Sequence, residues 1–382
     1  VNRKLAAALL FPAAIADTFP AMENTVRLHY ETHPYPHYPL LASVRRCDSY
    51  ALNLSALWAR FNGQLPTKSD QHILIAGCGS FAPYPFAVAN PDIRITALDL
   101  SAANLRRARL HCLLHAIRNV RFHRGDLLDP AACPGAYGLI DAYGVIHHLQ
   151  EPLAGLKALT DRLAEHGIIR LMVYSRYARQ EEDSIRRAFA MLGIRDVASA
   201  RQLLSGARPG SRLHSFVRSS FEMRSSSGMA DALLHPCVNS YCINELLELV
   251  HGAGLKPLLF AHHGALENPV EEIARLREME ARRESPGNFV VFLGRDNSGP
   301  CRPAEGTCLL LNPCLQGCVN SLWPGKTSVL PRLGHDTPLL DRGAQKFLRR
   351  FRQPVALDTL SVGEQQEAAV YTRALFLLHY RP

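Results

Sequence analysis

The stretch His72-Ile-Leu-Ile-Ala-Gly-Cys-Gly-Ser80, read together with Ile93-Arg-Ile-Thr-Ala-Leu-Asp99, decides the fold. A short apolar run, Ile73 to Ile75, leads into Gly77-Cys78-Gly79. A second apolar run ends in Asp99, twenty residues after Gly79. Glycines at the end of a strand let the backbone approach a ligand with no Cβ in the way. An acid closing the next strand can accept hydrogen bonds from both hydroxyls of a ribose. The two runs therefore predict a nucleoside-binding βαβ unit.

Outward from this unit the alternation continues. Ser101 is placed to cap a helix over 102–116, with Leu105, Ala108, Cys112 and Leu113 at helical spacing. Val120–His123 reads as a third strand, followed by Gly125-Asp126-Leu127. Leu139–Val145 reads as a fourth, ending in Gly144-Val145-Ile146-His147-His148. Leu153–Leu163 is an amphipathic helix with Gly167 as its stop, and Ile168–Tyr174 a fifth strand. Leu255–Phe260 and Asn288–Leu293 are two more strands, joined by a segment of little helical pattern, which allows an antiparallel last strand. A strand-helix series of this kind calls for a parallel sheet with helices on both faces. The expected fold is α/β, Rossmann-like, with seven mostly parallel strands and one antiparallel strand.

Three further regions surround it. Residues 1–65 form an N-terminal helical or lid segment, in which Tyr30-Glu-Thr-His-Pro-Tyr-Pro-His-Tyr-Pro39 is too rich in proline for a regular helix. Tyr30 and Tyr35 are candidates to close over a ligand; a proline-braced packing strip is the competing reading. The main domain spans 66–298, with a helical cap inserted at 176–230. After a Gly-Pro linker, 304–382 reads as a small separate C-terminal domain.

The chain has 382 residues, 47% hydrophobic and 20% charged, ordinary for a globular protein. No apolar run approaches the ~20 residues that span a bilayer. The net charge is +9, compatible with an anionic partner. The basic residues fall in isolated pairs such as Arg106-Arg107 and Arg349-Arg350, so a solvated surface is favoured over a nucleic-acid track. Ten cysteines are expected to be reduced. Cys301, Cys308, Cys314 and Cys318 lie at spacings of six, five and three, which match no paired metal-ligand pattern, and no metal is expected.

The glycine loop, Asp99, the Gly125-Asp126 pair and the Val145-Ile146-His147-His148-Leu149 strand end together resemble class I S-adenosylmethionine-dependent methyltransferases. The resemblance covers roughly residues 70–295. It is closest to a bacterial subgroup often fused to tetratricopeptide repeats, which carries a Tyr-Glu-x-x-Pro-Tyr-Pro segment like that at Tyr30–Pro36. No such repeats occur in this sequence. Phe81, where many of these enzymes have a third glycine, and Ile75, where many have an acid, depart from the pattern.

The resemblance implies S-adenosyl-L-methionine as cofactor. Gly77, Cys78 and Gly79 would meet its methionine half through backbone, Asp99 and Leu100 its ribose, and Asp126 and Leu127 its adenine. Gly144 would pass under the sulfonium, and Tyr30 and Tyr35 would cover it. His147 and His148 are candidate bases, with orientation of the strand-four loop as the plainer role. His235 and Tyr241 are further candidates near the acceptor.

The expected activity is methyl transfer to a small molecule, a peptide or a protein side chain. RNA methylation is the alternative among enzymes, and a non-catalytic cofactor-binding subunit is a third reading. An NAD-dependent oxidoreductase fits Asp126 and the paired histidines less well. Asn2-Arg3-Lys4 before Leu5–Ile15 imitates an export signal. Pro12 interrupts it, and the cofactor is cytosolic, so an amphipathic first helix and a cytoplasmic location are expected. No feature sets an oligomeric state.

Overall fold

A computed structural model describes residues 19–320 and 326–382. The expectations for residues 1–18, an amphipathic helix rather than an export signal, lie outside the described residues.

One sheet holds seven strands: β1 His72–Ala76, β2 Arg94–Asp99, β3 Val120–Arg124, β4 Tyr137–Tyr143, β5 Leu163–Val173, β6 Lys256–Phe260 and β7 Phe289–Gly294. Their order is β3-β2-β1-β4-β5-β7-β6. Strands β1 to β5 pair in parallel, and β7 runs antiparallel to β5 and β6. The chain is thus an α/β protein with a Rossmann-like, mostly parallel sheet and one reversed strand, as its sequence predicts. The strand order reverses between β1 and β4, and in such sheets that point opens a crevice at the carboxyl ends.

Alternation along each strand divides the sheet into two apolar faces. Ile73, Ile75, Ile95, Ala97 and Leu139 point to one face; Leu74, Ala76, Leu98, Ile140 and Ala142 to the other. The helices follow in chain order: α1 Phe19–Thr32, α2 Leu54–Asn62 after a 3-10 turn at Arg46–Leu52, α3 Pro83–Ala89, α4 Ala102–Leu114 and α5 Pro152–Asp161. Four short helices form the inserted cap: α6 Gln180–Leu192, α7 Val197–Ser205, α8 Arg212–Ser219 and α9 Ser226–Met229, closed by a π-turn at Ala230–Leu234. Helices α10 Ile243–Gly252 and α11 Pro269–Ala281 complete the main unit.

Local chemistry explains α4. Ser101 Oγ accepts from the Asn104 N–H at 3.2 Å. The Ala102 and Ala103 N–H groups donate to the two carboxylate oxygens of Glu31, at 2.7 and 3.0 Å. Three N–H groups that a helix start leaves unpaired are satisfied in this way, and an anion sits at its positive end.

Several expectations are corrected. Helix α5 stops at Asp161, and Gly167 lies inside β5, which begins five residues earlier than predicted because Leu163 already pairs with Tyr137. Strand β4 ends at Tyr143 rather than Val145. The segment between β6 and β7 is helical after all. The buried residues of α11 are Leu276 and Glu272, so it has almost no apolar stripe to read. Glu272 holds the helix down instead, bonded to His262 at 2.6 Å and to the Leu266 N–H at 2.9 Å, and within the helix to Arg275 at 2.6 and 2.8 Å. Burial pushes its pKa up, but these bonds and the Leu266 N–H overrule it and hold it at about 2.

Past the linker, β8 Cys308–Leu311, β9 Val355–Ala356 and β10 Leu377–Tyr380 form an antiparallel three-stranded sheet in the order β10-β8-β9. Helices α12 Gln316–Val319, α13 Arg342–Leu348 and α14 Val362–Arg373 pack with it. The sequence predicts a separate unit here. Leu309, Leu311, Leu315, Phe351 and Phe376 nevertheless share one continuous core with Tyr50, Leu54, Leu57, Trp58 and Ile73. The boundary near residue 304 marks a change of sheet, not a change of core.

Candidate functional site

The crevice at the β1/β4 switch point opens into a cavity of about 820 Å³. Four strand ends and two outlying segments build its walls.

The loop after β1 is the first wall. Gly77 and Gly79 both have positive φ, +63° and +57°. A Cβ on Gly77 would lie 2.5 Å from Val145 Cγ2, and one on Gly79 would lie 2.7 Å from the Tyr35 carbonyl oxygen. Both positions therefore need glycine for backbone shape and for space. Cys78 is buried between them, its thiol pKa driven up by burial, and its N–H donates to the Leu98 carbonyl at 2.9 Å.

Asp99 closes β2. Its Oδ2 accepts from the Gly79 N–H at 2.7 Å, and its Oδ1 from the Ser101 N–H at 2.8 Å and from Asn104 Nδ2 at 3.3 Å. Burial raises its pKa against the pull of these three donors. The carboxylate thus ties the glycine loop to the start of α4, and its remaining lone pairs can still serve a ligand. Leu100 and Leu127 line the same cavity. So does Asp126, whose Oδ1 accepts from the Leu128 N–H at 2.8 Å. Gly144, at φ +85°, lies at the end of β4, where an added Cβ would meet only Met172 Cε at 3.5 Å.

The proline-rich segment forms another wall. Tyr30 and Tyr35 both line the cavity. The Tyr35 N–H donates to Asn104 Oδ1 at 3.0 Å, and the Tyr35 carbonyl accepts from the Ser80 N–H at 3.0 Å. Ser80 Oγ donates to the Pro36 carbonyl. Phe81 does not obstruct the loop; its ring packs on Tyr38 at 4.4 Å and on His111 at 5.1 Å.

The two histidines separate. His148 reaches the cavity, while His147 is fully buried, packs on the Tyr174 ring at 3.8 Å and is not among the walls. His147 is therefore corrected from candidate base to packing residue. His148 Nδ1 donates to the Cys237 carbonyl at 2.9 Å, and burial pushes its pKa down to about 4. A neutral ring with one nitrogen committed to a carbonyl orients the strand-four loop and is a poor base near neutral pH. His235 packs its ring at a tilt on His148, 3.9 Å between centroids, behind the wall.

The cavity continues over the sheet face carrying Asp141, Arg170, Met172, Val290 and Phe292, covered by the turn at Arg46–Leu52 and by Pro331 and Arg332. Asp141 and Arg170 are cross-strand partners bonded at 3.0 Å, and the guanidinium lies 4.5 Å over the Tyr143 ring. Sequence reading missed these residues, and missed the polar cluster the cap delivers. Asp231 accepts from the Tyr30 hydroxyl at 2.9 Å and from the Tyr174 hydroxyl at 3.4 Å. Arg179 grips Glu222 at 2.6 and 3.0 Å and Glu182 at 2.9 Å. No local pattern marks them, because their neighbours lie up to 201 positions away in the chain.

Among the described residues no group of three or more His, Cys, Asp or Glu is arranged to hold a metal ion. No described helix is long and apolar enough to cross a membrane.

No family model matches the chain. It is 28% identical over 347 residues to syc1184_c, an uncharacterised protein of Synechococcus sp., a match covering 83% of this chain and 81% of the relative. An uncharacterised phycocyanin operon protein W of Pseudanabaena tenuis is 32% identical over 84 residues, 22% of this chain and 79% of its own. Among solved structures, PKMT2 from Rickettsia typhi superposes with a TM-score of 0.55 at 15% identity, covering 90% of this chain and 78% of that one. A second structure of PKMT2, in complex with AdoHcy, gives 0.54 at 14% identity, covering 90% and 77%. At such identities the likeness is one of fold, and the fold this chain shares with PKMT2 extends over nine-tenths of its length.

Proposed function

We propose that the protein transfers a methyl group from S-adenosylmethionine to an acceptor bound over the face of β5 and β7. The observation that carries this reading is convergence. The glycine loop, Asp99, Asp126 and Gly144 come from four strand ends and meet in one cavity of about 820 Å³, which also takes in Arg170, Met172, Val290 and Phe292. The PKMT2 fold, known in complex with AdoHcy, supports the same reading.

In this reading Gly77 and Gly79 bring backbone to the amino-acid end of the cofactor, Asp99 accepts from its ribose and Asp126 from its adenine. Bound there, the cofactor supplies an activated methyl on a leaving group of its own. The protein's task is to align the acceptor and keep water out. Tyr30 and Tyr35 serve that task as cover.

Calorimetric titration with S-adenosylhomocysteine and with NAD tests the proposal. Saturable binding of S-adenosylhomocysteine, absent for NAD and weakened in Asp99→Ala, is the expected result. Binding of NAD alone would favour an oxidoreductase. A cofactor complex without turnover on any amine, hydroxyl or thiol acceptor would favour a non-catalytic subunit.

A further inference from the structure

Asp231 sits in the π-turn that ends the cap, 2% exposed, on the wall of the cavity. We infer that this carboxylate receives the reactive group of the acceptor, and that this group is an amine. The inference rests on the methyl-transfer reading above.

Its surroundings support this. The Tyr30 and Tyr174 hydroxyls each donate to one oxygen, which leaves both oxygens further acceptor capacity. The other groups around it are Tyr35, Glu222, Arg179, Arg186 and His148. Arg179 is committed to Glu222 and Glu182 and stacks 4.0 Å over the Tyr174 ring. Arg186 donates to the His235 carbonyl at 3.1 Å. Among the described residues neither guanidinium bonds to Asp231. His148 Nε2 stands 4.0 Å away on a ring that burial keeps neutral. Burial holds the Tyr30 and Tyr174 hydroxyls in their protonated form. Asp231 is therefore a carboxylate on a cavity wall with donors but no cation of its own. An incoming ammonium supplies that cation, and the rings of Tyr30 and Tyr35 give it aromatic walls. A thiol or alcohol brings no charge, and a carboxylate is repelled.

Proton balance agrees. An alkylammonium, with a pKa of about 10.4, cannot accept a methyl until it loses a proton. Burial, together with Glu222, pushes Asp231 up to about 7 against the Tyr30 bond and Arg179. That places it nearer the ammonium than an ordinary carboxylate. One N–H bond of the ammonium breaks as the Asp231 O–H forms. The freed lone pair makes the new N–C bond, and the electron pair of the broken C–S bond stays on sulfur.

Sinefungin, which carries an amine on carbon in place of the methylsulfonium, tests this without a known acceptor. In the intact 382-residue chain at pH 8, sinefungin should bind at least about tenfold more tightly than S-adenosylhomocysteine, as a charge-assisted bond requires. In Asp231→Asn that advantage should vanish, while affinities for S-adenosylhomocysteine and S-adenosylmethionine move less than about threefold. An advantage that survives the substitution overturns the inference. So does an equal loss for S-adenosylmethionine, which would make Asp231 a partner of the sulfonium. Should the variant fail to fold, the wild type still decides. Its sinefungin advantage should shrink about tenfold between pH 8 and pH 6 as Asp231 takes up a proton, and a flat profile overturns the inference. Failure of S-adenosylhomocysteine to bind the wild type refutes the methyl-transfer reading instead.

Discussion

The cap at 176–234 and the C-terminal segment at 304–382 both lie outside the seven-stranded sheet, yet they are attached in opposite ways. The cap has an apolar core of its own, built from Phe189, Ala200, Leu204, Phe216, Met223 and Met229. Among its described residues the C-terminal segment shows none; its Leu309, Leu311, Phe351 and Phe376 are part of the core under β1 and β2. The difference is one of cooperativity. A region with its own core can open while the rest stays folded, and a region that shares the core cannot. The cap delivers Asp231, Arg179 and Glu222 to the cavity, whereas the C-terminal segment chiefly completes the fold.

Removing residues 304–382 should have the largest effect. It strips the cover from Tyr50, Leu54 and Leu57, and soluble protein with a cooperative melting transition should be lost. Recovery of a folded 1–303 fragment that binds S-adenosylhomocysteine would erase the distinction. A matched pair of substitutions sharpens it. Phe376→Ala, at a fully buried site of the shared core, should cost about 3–5 kcal/mol in urea unfolding. Phe189→Ala, at an equally buried site of the cap, should change global stability far less. It should instead lower amide-exchange protection across 180–234.

Asp99 belongs to the shared-core side. Asp99→Ala should weaken S-adenosylhomocysteine binding by about 1.5–3 kcal/mol through the lost charge-assisted bonds, while Phe189→Ala leaves that affinity nearly unchanged. Equal losses in calorimetry would mean that the cap contributes as much to binding as the Asp99 side.

The smallest effect expected is with pH. Burial pushes His29 and His148 down to about 4, and His235 down as well, and all three pack where the cap meets the rest. Stability from a histidine kept neutral is present above its unfolded value near 6.5 and is lost as pH falls through the folded value. Asp231 acts with the opposite sign, its contribution lost as pH rises through about 7. Between pH 6.5 and 5 the cap should lose exchange protection before the sheet does. Uniform loss across both would argue against an independently opening cap.

The same contrast explains what can be read in the sequence. Ile73, Gly77, Gly79 and Asp99 follow from strand period and turn chemistry within thirty residues, so the glycine-loop wall of the cavity is legible from local pattern alone. His147 and His148 look alike at that level, and only burial separates them. Helix α11 is invisible there because the buried Glu272 bonded to His262 and to the Leu266 N–H, not an apolar stripe, fastens it. Asp231 is invisible because its meaning lies in Tyr30 and Tyr174, which reach it from other parts of the chain.

Glu31 and Tyr30 are neighbours on α1, but one is fastened to the start of α4 and the other to the cap. That makes the end of α1 a rod joining the cap to the start of α4. If the cap swings outward, it must either snap the Tyr30–Asp231 bond or drag Glu31 off the helix that Asp99 helps to begin. A movement of the cap is thereby carried to the start of α4 through a single turn of helix.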